Sequence, residues 1–260
     1  MIQSVDRAAR ILAMLSEDGR LGVTDLSSRL GLAKGTVHGL LRTLQAHGLV
    51  EQDAETDKYQ LGPALLALSN RYLGINELRS RSLAWSELLA ARAKETVRVA
   101  APHADGVLIV HHVFRPDSSL QILEVGEILP LHASALGKAV LAYMPAEALK
   151  AFLLNRTLPK LTAHTITTQS ALQRDLNLIR ERGHAFELEE AVLGEGGIAA
   201  AIFNRRGVVG GAIGIAGPRE RLLKRVRVPG LIEAVTEAAR GISRDLGSSR
   251  WPIGRVTSPV

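Results

Sequence analysis

Between Leu30 and Val50 the chain reads LGLAKGTVHGLLRTLQAHGLV, and its apolar residues recur at helical spacing. If Val37, Leu40, Leu41 and Leu44 face a core, the opposite face carries Gly35, His38, Gly39, Arg42 and Gln45, with Lys34 and Thr36 at the helix start. The Lys, Thr, His, Arg and Gln side chains can all hydrogen-bond to phosphates or base edges. Each glycine inside a helix costs up to ~1 kcal/mol relative to alanine, so two of them on one polar face ask for a reason. Glycines without side chains let a helix sit deep in a major groove, and the free N–H groups of a helix start attract phosphate. The face therefore suits double-stranded DNA. The competing reading is an ordinary solvated face with neutral glycines; the order helix–helix–Gly–helix–hairpin around it agrees with DNA binding.

Other chemistry is sparse. The chain has no cysteine, which excludes disulfides, thiolate catalysis and Cys-rich zinc sites and points to a reducing cytoplasm. No G-x-S-x-G elbow, H-E-x-x-H pair or nucleotide-binding loop is present. A Ser134/His132/Glu187 arrangement can be drawn, yet nothing in the sequence positions a nucleophile, and no enzyme is expected. His111 and His112 are neighbours in a strand pattern and face opposite sides, which argues against a shared metal. His132, His164 and His184 with Glu189 show no ligand spacing. No metal or cofactor is expected.

The elements that would position the polar face follow from pattern. Val5, Ala8, Leu12 and Leu15 share one helix face. Thr24 offers an N-cap to a short second helix that Gly31 stops, and the third helix ends near Gly48. LVEQ and KYQL alternate around DAETD, a β-hairpin whose tip carries Asp53, Glu55 and Asp57 against the single cation Lys58. This is the order of a winged helix-turn-helix, residues 1–62. A linker helix follows at 63–76, opened by Pro63, and its Leu65, Leu66, Leu68, Tyr72 and Leu73 exceed what one domain can bury, which implies dimerisation. Over 77–248, a helix from about Glu77 to Lys94 leads into β-rich TVRVAAP, GVLIVHHVF and LQILEVG. Helices near 134–144, 146–154 and 169–182, strands IAAAIFN and VVGGAIGIAG, and a last helix near 229–246 complete an α+β domain with one antiparallel sheet. Residues 249–260 read as a flexible tail.

The net charge of +6 is unevenly placed. Residues 1–62 hold seven Lys/Arg against eight Asp/Glu, and 218–260 hold nine against four. DNA binding thus rests on the local placement of cations rather than on global basicity. The N-terminus lacks a signal-peptide pattern and no stretch approaches the ~20 apolar residues of a membrane span.

SVDRAARILAML, LGVTDLSSRLGLAKGTVHGLLRTLQAHGLVEQD and YQLGPALLAL resemble the DNA-binding domain of IclR-type bacterial transcriptional regulators. LPLHASALGKAVLA, ELEEAVLGEGGIAAAIF and VVGGAIGIAGPRERL resemble the family's second domain. AKGTVHGLLRTLQ and GVLIVHHVFRPD are most similar to the subgroup that controls glycerol operons in actinomycetes. The resemblance implies a cytoplasmic homodimer or homotetramer that represses operator DNA until a small anionic metabolite, glycerol 3-phosphate for this subgroup, loosens it. An activator or dual regulator of aromatic or other organic acid catabolism would share the fold.

It also implies an effector pocket in a GAF-like second domain. The matching loop, His132 to Lys138, opens a helix and brings Ser134, Ala135, Leu136 and Lys138; free N–H groups, a hydroxyl and an ammonium suit an anion. Ser134 can equally be a plain N-cap and Lys138 a solvated cation. Motif alignment adds Glu187, Gly197, Gly214 and Ala216. Gly197 stands where a Cys is common, and Gly214 and Ala216 replace frequent serines, so the polar floor of the pocket is largely missing. Glu187, Glu189 and Glu190 crowd one strand, and an anion there needs a compensating Lys or Arg.

Overall fold

A computed structural model describes residues 2–68, 77–117, 119–155, 157–222, 224 and 226–251, and the chain divides into the units Met1–Ile75 and Asn76–Val260. In the first unit, helices α1 (Gln3–Asp18), α2 (Val23–Leu30) and α3 (Lys34–Ala46) precede an antiparallel hairpin of β1 (Val50–Gln52) and β2 (Tyr59–Leu61). Leu21 forms a further bridge to Tyr59. Ile11, Leu15, Leu26, Val37, Leu41, Leu44, Val50 and Tyr59 close the core. Leu40 is half-buried against it and Val5 stays exposed, so α1 buries Ile11 and Leu15, flanked by Ala8 and Leu12. The cap of α2 is Gly22 rather than Thr24: the Gly22 amide donates to the Asp25 carboxylate at 3.1 Å, which draws the helix start two residues earlier. Gly31 ends α2 in the left-handed conformation, φ 65°.

Residues 63–68, α4, are helical, with Leu66 and Leu68 exposed. The remainder of the expected linker helix, 69–76 with Tyr72 and Leu73, lies outside the described residues, as do residues 252–260 of the expected tail.

The second unit is built on a six-stranded antiparallel sheet in the order β5-β4-β3-β8-β7-β6. Its strands are β3 (Thr96–His103), β4 (Gly106–Val113), β5 (Ile128–Leu129), β6 (Ala185–Leu188), β7 (Glu195–Phe203) and β8 (Val209–Pro218). Helix α5 (Glu77–Ala93) leads in; α6 (Ala135–Tyr143), α7 (Ala146–Asn155) and α8 (Gln169–Arg182) fall between β5 and β6, and α9 (Arg219–Leu222) and α10 (Val228–Asp245) close the unit.

Both sheet faces are covered, which is why IAAAIF in β7 contains no polar residue. Gly197 shows one face: a Cβ there would lie 3.2 Å from Ala135 of α6. Gly211, paired with Ile202, shows the other, because a Cβ there would lie 2.6 Å from Leu78 of α5. On that second side α5 and α10 cross at Gly241, where a Cβ would come within 2.2 Å of the Trp85 ring, and the Trp85 indole N–H donates to Asp245 at 2.7 Å.

Two expectations for the second unit change. LQILEVG is not a strand: residues 120–126 are irregular, with Leu120, Ile122 and Leu123 exposed, and the edge of β4 is taken instead by Ile128 and Leu129. The glutamates do not crowd one strand either, since β6 ends at Leu188 and Glu189, at φ 57°, turns the chain away.

Candidate functional site

On α3 the side chains of Val37, Leu41 and Leu44 are buried, and Lys34, Gly35, Thr36, His38, Gly39, Arg42 and Gln45 are all exposed. A Cβ at Gly35 or at Gly39 would meet nothing within 4 Å. Internal packing therefore gives no reason for either glycine. The helix start is equally open: its cap is Ala33, no side chain caps it, and its first turn holds Lys34 but no acidic residue. A cation there opposes the helix dipole, whereas a phosphate would complement both the cation and the unspent N–H groups.

On the hairpin, Lys58 is exposed. The Asp53 carboxylate accepts from the Glu55 and Thr56 amides at 3.2 and 2.9 Å and from the Thr56 hydroxyl at 2.8 Å, and it pairs with Arg20 at 2.8 Å. The Thr56 hydrogen bonds hold its pKa below the usual carboxylate range. The acidic tip is thus partly spent on its own turn and partly neutralised by Arg20, a pairing across 33 positions that the sequence does not announce.

The second unit contains a cavity of about 220 Å³ between the start of α6 and the sheet. Ser134, Ala135, Leu136, Glu187, Gly197, Gly214 and Ala216 line it. Its floor is backbone: Gly197 pairs with Ala216 and Ala199 with Gly214 across β7 and β8. A Cβ at Gly214 would come 2.6 Å from the Ile198 carbonyl oxygen, so this chain has no room for a serine there without moving the strand. The Ser134 hydroxyl is committed locally, accepting from the Gly137 amide at 3.0 Å and donating to the Pro130 carbonyl at 2.7 Å. It caps α6, as the plainer reading had it.

Lys138 is not among the lining residues. It is 2% exposed, and its ammonium sits 2.5 Å from Glu190 and 2.9 Å from Asp175. A buried cation must be paired, and α8 together with the turn after β6 supplies the partners. The Glu187 carboxylate faces the cavity and accepts from the Glu190 and Ala191 amides at 2.8 and 3.3 Å. Burial pushes its pKa up to about 7 against the pull of those two amides.

The charge that sequence reasoning missed is Arg98, which lines the cavity with Glu124 and Glu127. Its guanidinium binds the Glu124 carboxylate through both Nε and Nη2, the second contact at 2.5 Å. One signal was available: Arg98 is a lone cation in TVRVAAP between the fully buried Val97 and Val99. Behind the pair lies His112, whose Nδ1 accepts from the Glu124 amide at 3.2 Å and whose pKa burial pushes down to about 4. His112 is paired with Arg98 and His111 with Val99, on opposite faces of the sheet. Among the described residues no three His, Asp or Glu side chains gather where a metal could be held, and no helix is long and apolar enough to cross a membrane.

Two family models match the chain: the IclR helix-turn-helix domain over residues 4–54 and the bacterial transcriptional regulator IclR C-terminal domain over residues 70–244. The glycerol operon regulatory protein of Streptomyces coelicolor is 46% identical over 252 residues, covering 96% of this chain and 98% of that protein. Among solved structures, the IclR of Thermotoga maritima has a TM-score of 0.84 at 24% identity, over 95% of this chain and all of that one. An IclR homologue of Microbacterium hydrocarbonoxydans, complexed with 4-hydroxybenzoate, has a TM-score of 0.79 at 25% identity, over 94% of this chain and 98% of that one. With a helix-turn-helix in its first unit and an α+β domain in its second, each matched by its family model, the chain belongs to the IclR family of transcriptional regulators and not to an enzyme family.

Proposed function

We propose that the protein represses a carbon-catabolic operon of the glycerol type and releases its operator when a small anionic metabolite, glycerol 3-phosphate first among candidates, enters the second domain. The observation that carries this reading is the 46% identity to a glycerol operon regulator along nearly the whole of both chains. The cavity agrees in size: at about 220 Å³ it suits a metabolite rather than a drug-sized molecule. Lys34, Thr36, His38, Arg42 and Gln45 contact the operator with Gly35 and Gly39 admitting its backbone, and Lys58 adds a contact from the wing. The effector lies among Ser134, Ala135, Leu136, Glu187, Gly197, Gly214 and Ala216; Lys138 supports that wall from behind. The protein works in the cytoplasm as a homodimer or homotetramer on two half-sites about one helical turn apart, ~34 Å.

Ligand release of DNA needs only that the effector bind the DNA-free conformation better; a tenfold difference is about 1.4 kcal/mol. The test is fluorescence anisotropy on the DNA upstream of the protein's own gene, titrated with glycerol 3-phosphate at fixed salt. Release at sub-millimolar ligand supports the reading, and tight binding unmoved by the ligand discards the glycerol assignment. The apolar walls offered by Leu136, Val192 and Ile215 favour a second reading, a regulator of aromatic acid catabolism, which the position of the operator relative to the promoter and a titration with 4-hydroxybenzoate would separate from the first.

A further inference from the structure

Among the described residues that line the cavity, Arg98 carries the only positive charge, and it is already occupied by Glu124. We propose that the anionic head of the effector, a carboxylate or a phosphate monoester, binds by taking the place of the Glu124 carboxylate on the Arg98 guanidinium, so that Glu124 is a built-in competitor of the ligand. This rests on the effector reading above and names the group that recognises the ligand.

Charge balance makes exchange the favoured route. The Arg98 and Glu124 side chains are 17% and 21% exposed, so their bond is shielded from water on most sides. An anion added beside an intact pair would leave two negative groups sharing one guanidinium in a poorly screened site. A singly charged anion that displaces Glu124 leaves the interior charge as it was. The guanidinium fork fits carboxylate and phosphate in the same two-pronged way.

Glu124 is also free to leave. It belongs to the irregular segment 120–126, which no strand ladder holds. Its carboxylate is tied to Arg98, with His112 Nδ1 3.5 Å away, whereas the backbone stays anchored through the Glu124 amide on His112 and the Gly126 amide on the Ile109 carbonyl at 2.9 Å. The side chain can swing out while the main chain stays put. Glu127 and Glu195, the other charged lining carboxylates, are exposed at the rim and screened by solvent. Glu187 lies inside and, with its pKa raised by burial, can offer a proton to a ligand hydroxyl or phosphoryl oxygen.

The experiment is calorimetric titration of the full chain, as wild type, E124Q and R98Q, with glycerol 3-phosphate, 4-hydroxybenzoate, inorganic phosphate and uncharged glycerol. Circular dichroism checks the folding of each variant. The expected result is that at least one anion binds, at least tenfold more tightly to E124Q, where the competitor has lost its charge, and at least tenfold more weakly to R98Q. If R98Q fails to fold, E124Q alone decides by the direction of its change. An anion other than glycerol 3-phosphate with this pattern sustains the exchange and removes the glycerol assignment. The exchange is overturned if E124Q binds no more tightly than wild type, if a folded R98Q binds as well as wild type, or if only glycerol or none of the four binds.

Discussion

Gly39→Ala separates what α3 needs for itself from what it needs for its partner. Gly39 lies in the middle of the 13-residue helix with no positive φ, and a Cβ there would meet nothing within 4 Å. Alanine therefore adds no clash and removes the entropic cost of glycine, a gain of about 0.5–1 kcal/mol. In a unit of this size 1 kcal/mol raises the melting temperature by roughly 4–8 °C. The same methyl stands on the face that carries His38, Arg42 and Gln45, and if the glycine is there so that DNA can come close, operator affinity falls at least tenfold, about 1.4 kcal/mol. Thermal unfolding by circular dichroism and anisotropy on the upstream DNA at fixed salt read the two quantities. A protein that gains stability and binds its operator as tightly as before would show that Gly39 serves no close approach. One that loses stability would show that the open space around Gly39 is filled in solution.

Arg42→Ala is expected to weaken operator binding at least tenfold, with a salt slope lower by about 1 if the contact is to phosphate; unchanged affinity removes Arg42 from the interface. Glu187→Gln keeps the oxygen that accepts from the Glu190 and Ala191 amides but removes the titration. Because the folded carboxyl sits near 7 instead of the usual 4.5, the folded chain holds a proton that the unfolded chain has lost, and wild-type stability falls as pH rises from about 4.5 to about 7. At 1.4 kcal/mol per tenfold step, the variant gains at most about 3 kcal/mol over wild type at pH 8, and urea curves at pH 5 and 8 that run parallel for the two proteins would refute this. Lys138→Met leaves Glu190 and Asp175 without their shared cation and should cost about 3 kcal/mol; a loss below ~1 kcal/mol in urea unfolding would mean that the cluster is solvated.

What the sequence made legible is what depends on neighbours along the chain. The helical period of Val37, Leu41 and Leu44 identified both faces of α3, and the alternation around DAETD identified the wing. Most of the cavity wall was reachable through the motif around Ser134 and the small residues of β7 and β8. Long-range pairing stayed hidden. Nothing in TVRVAAP says that Arg98 meets a glutamate 26 positions later, or that Lys138 turns from the cavity to Asp175 and Glu190. LQILEVG misled because alternation marks a strand only where a neighbouring strand stands ready to pair, and β4 takes Ile128 and Leu129 instead. Val5 misled for a related reason, since a helix can continue its apolar stripe past the end of the core it covers.

The two margins of the large sheet carry a consequence of their own. One is β5, two residues long, and the other is β6, four residues long, while the long strands β7 and β8 lie inside. The stretches richest in alanine, glycine and isoleucine are those an amyloid-like partner would template on most readily, and here residues 196–199 of β7 lie between β6 and β8, and residues 212–216 of β8 lie between β7 and β3. At those residues a foreign strand finds no open row to pair with. Fibril growth from residues 196–199 therefore has to await the detachment of β6, and its rate should track local opening at β6 rather than the overall concentration of folded protein.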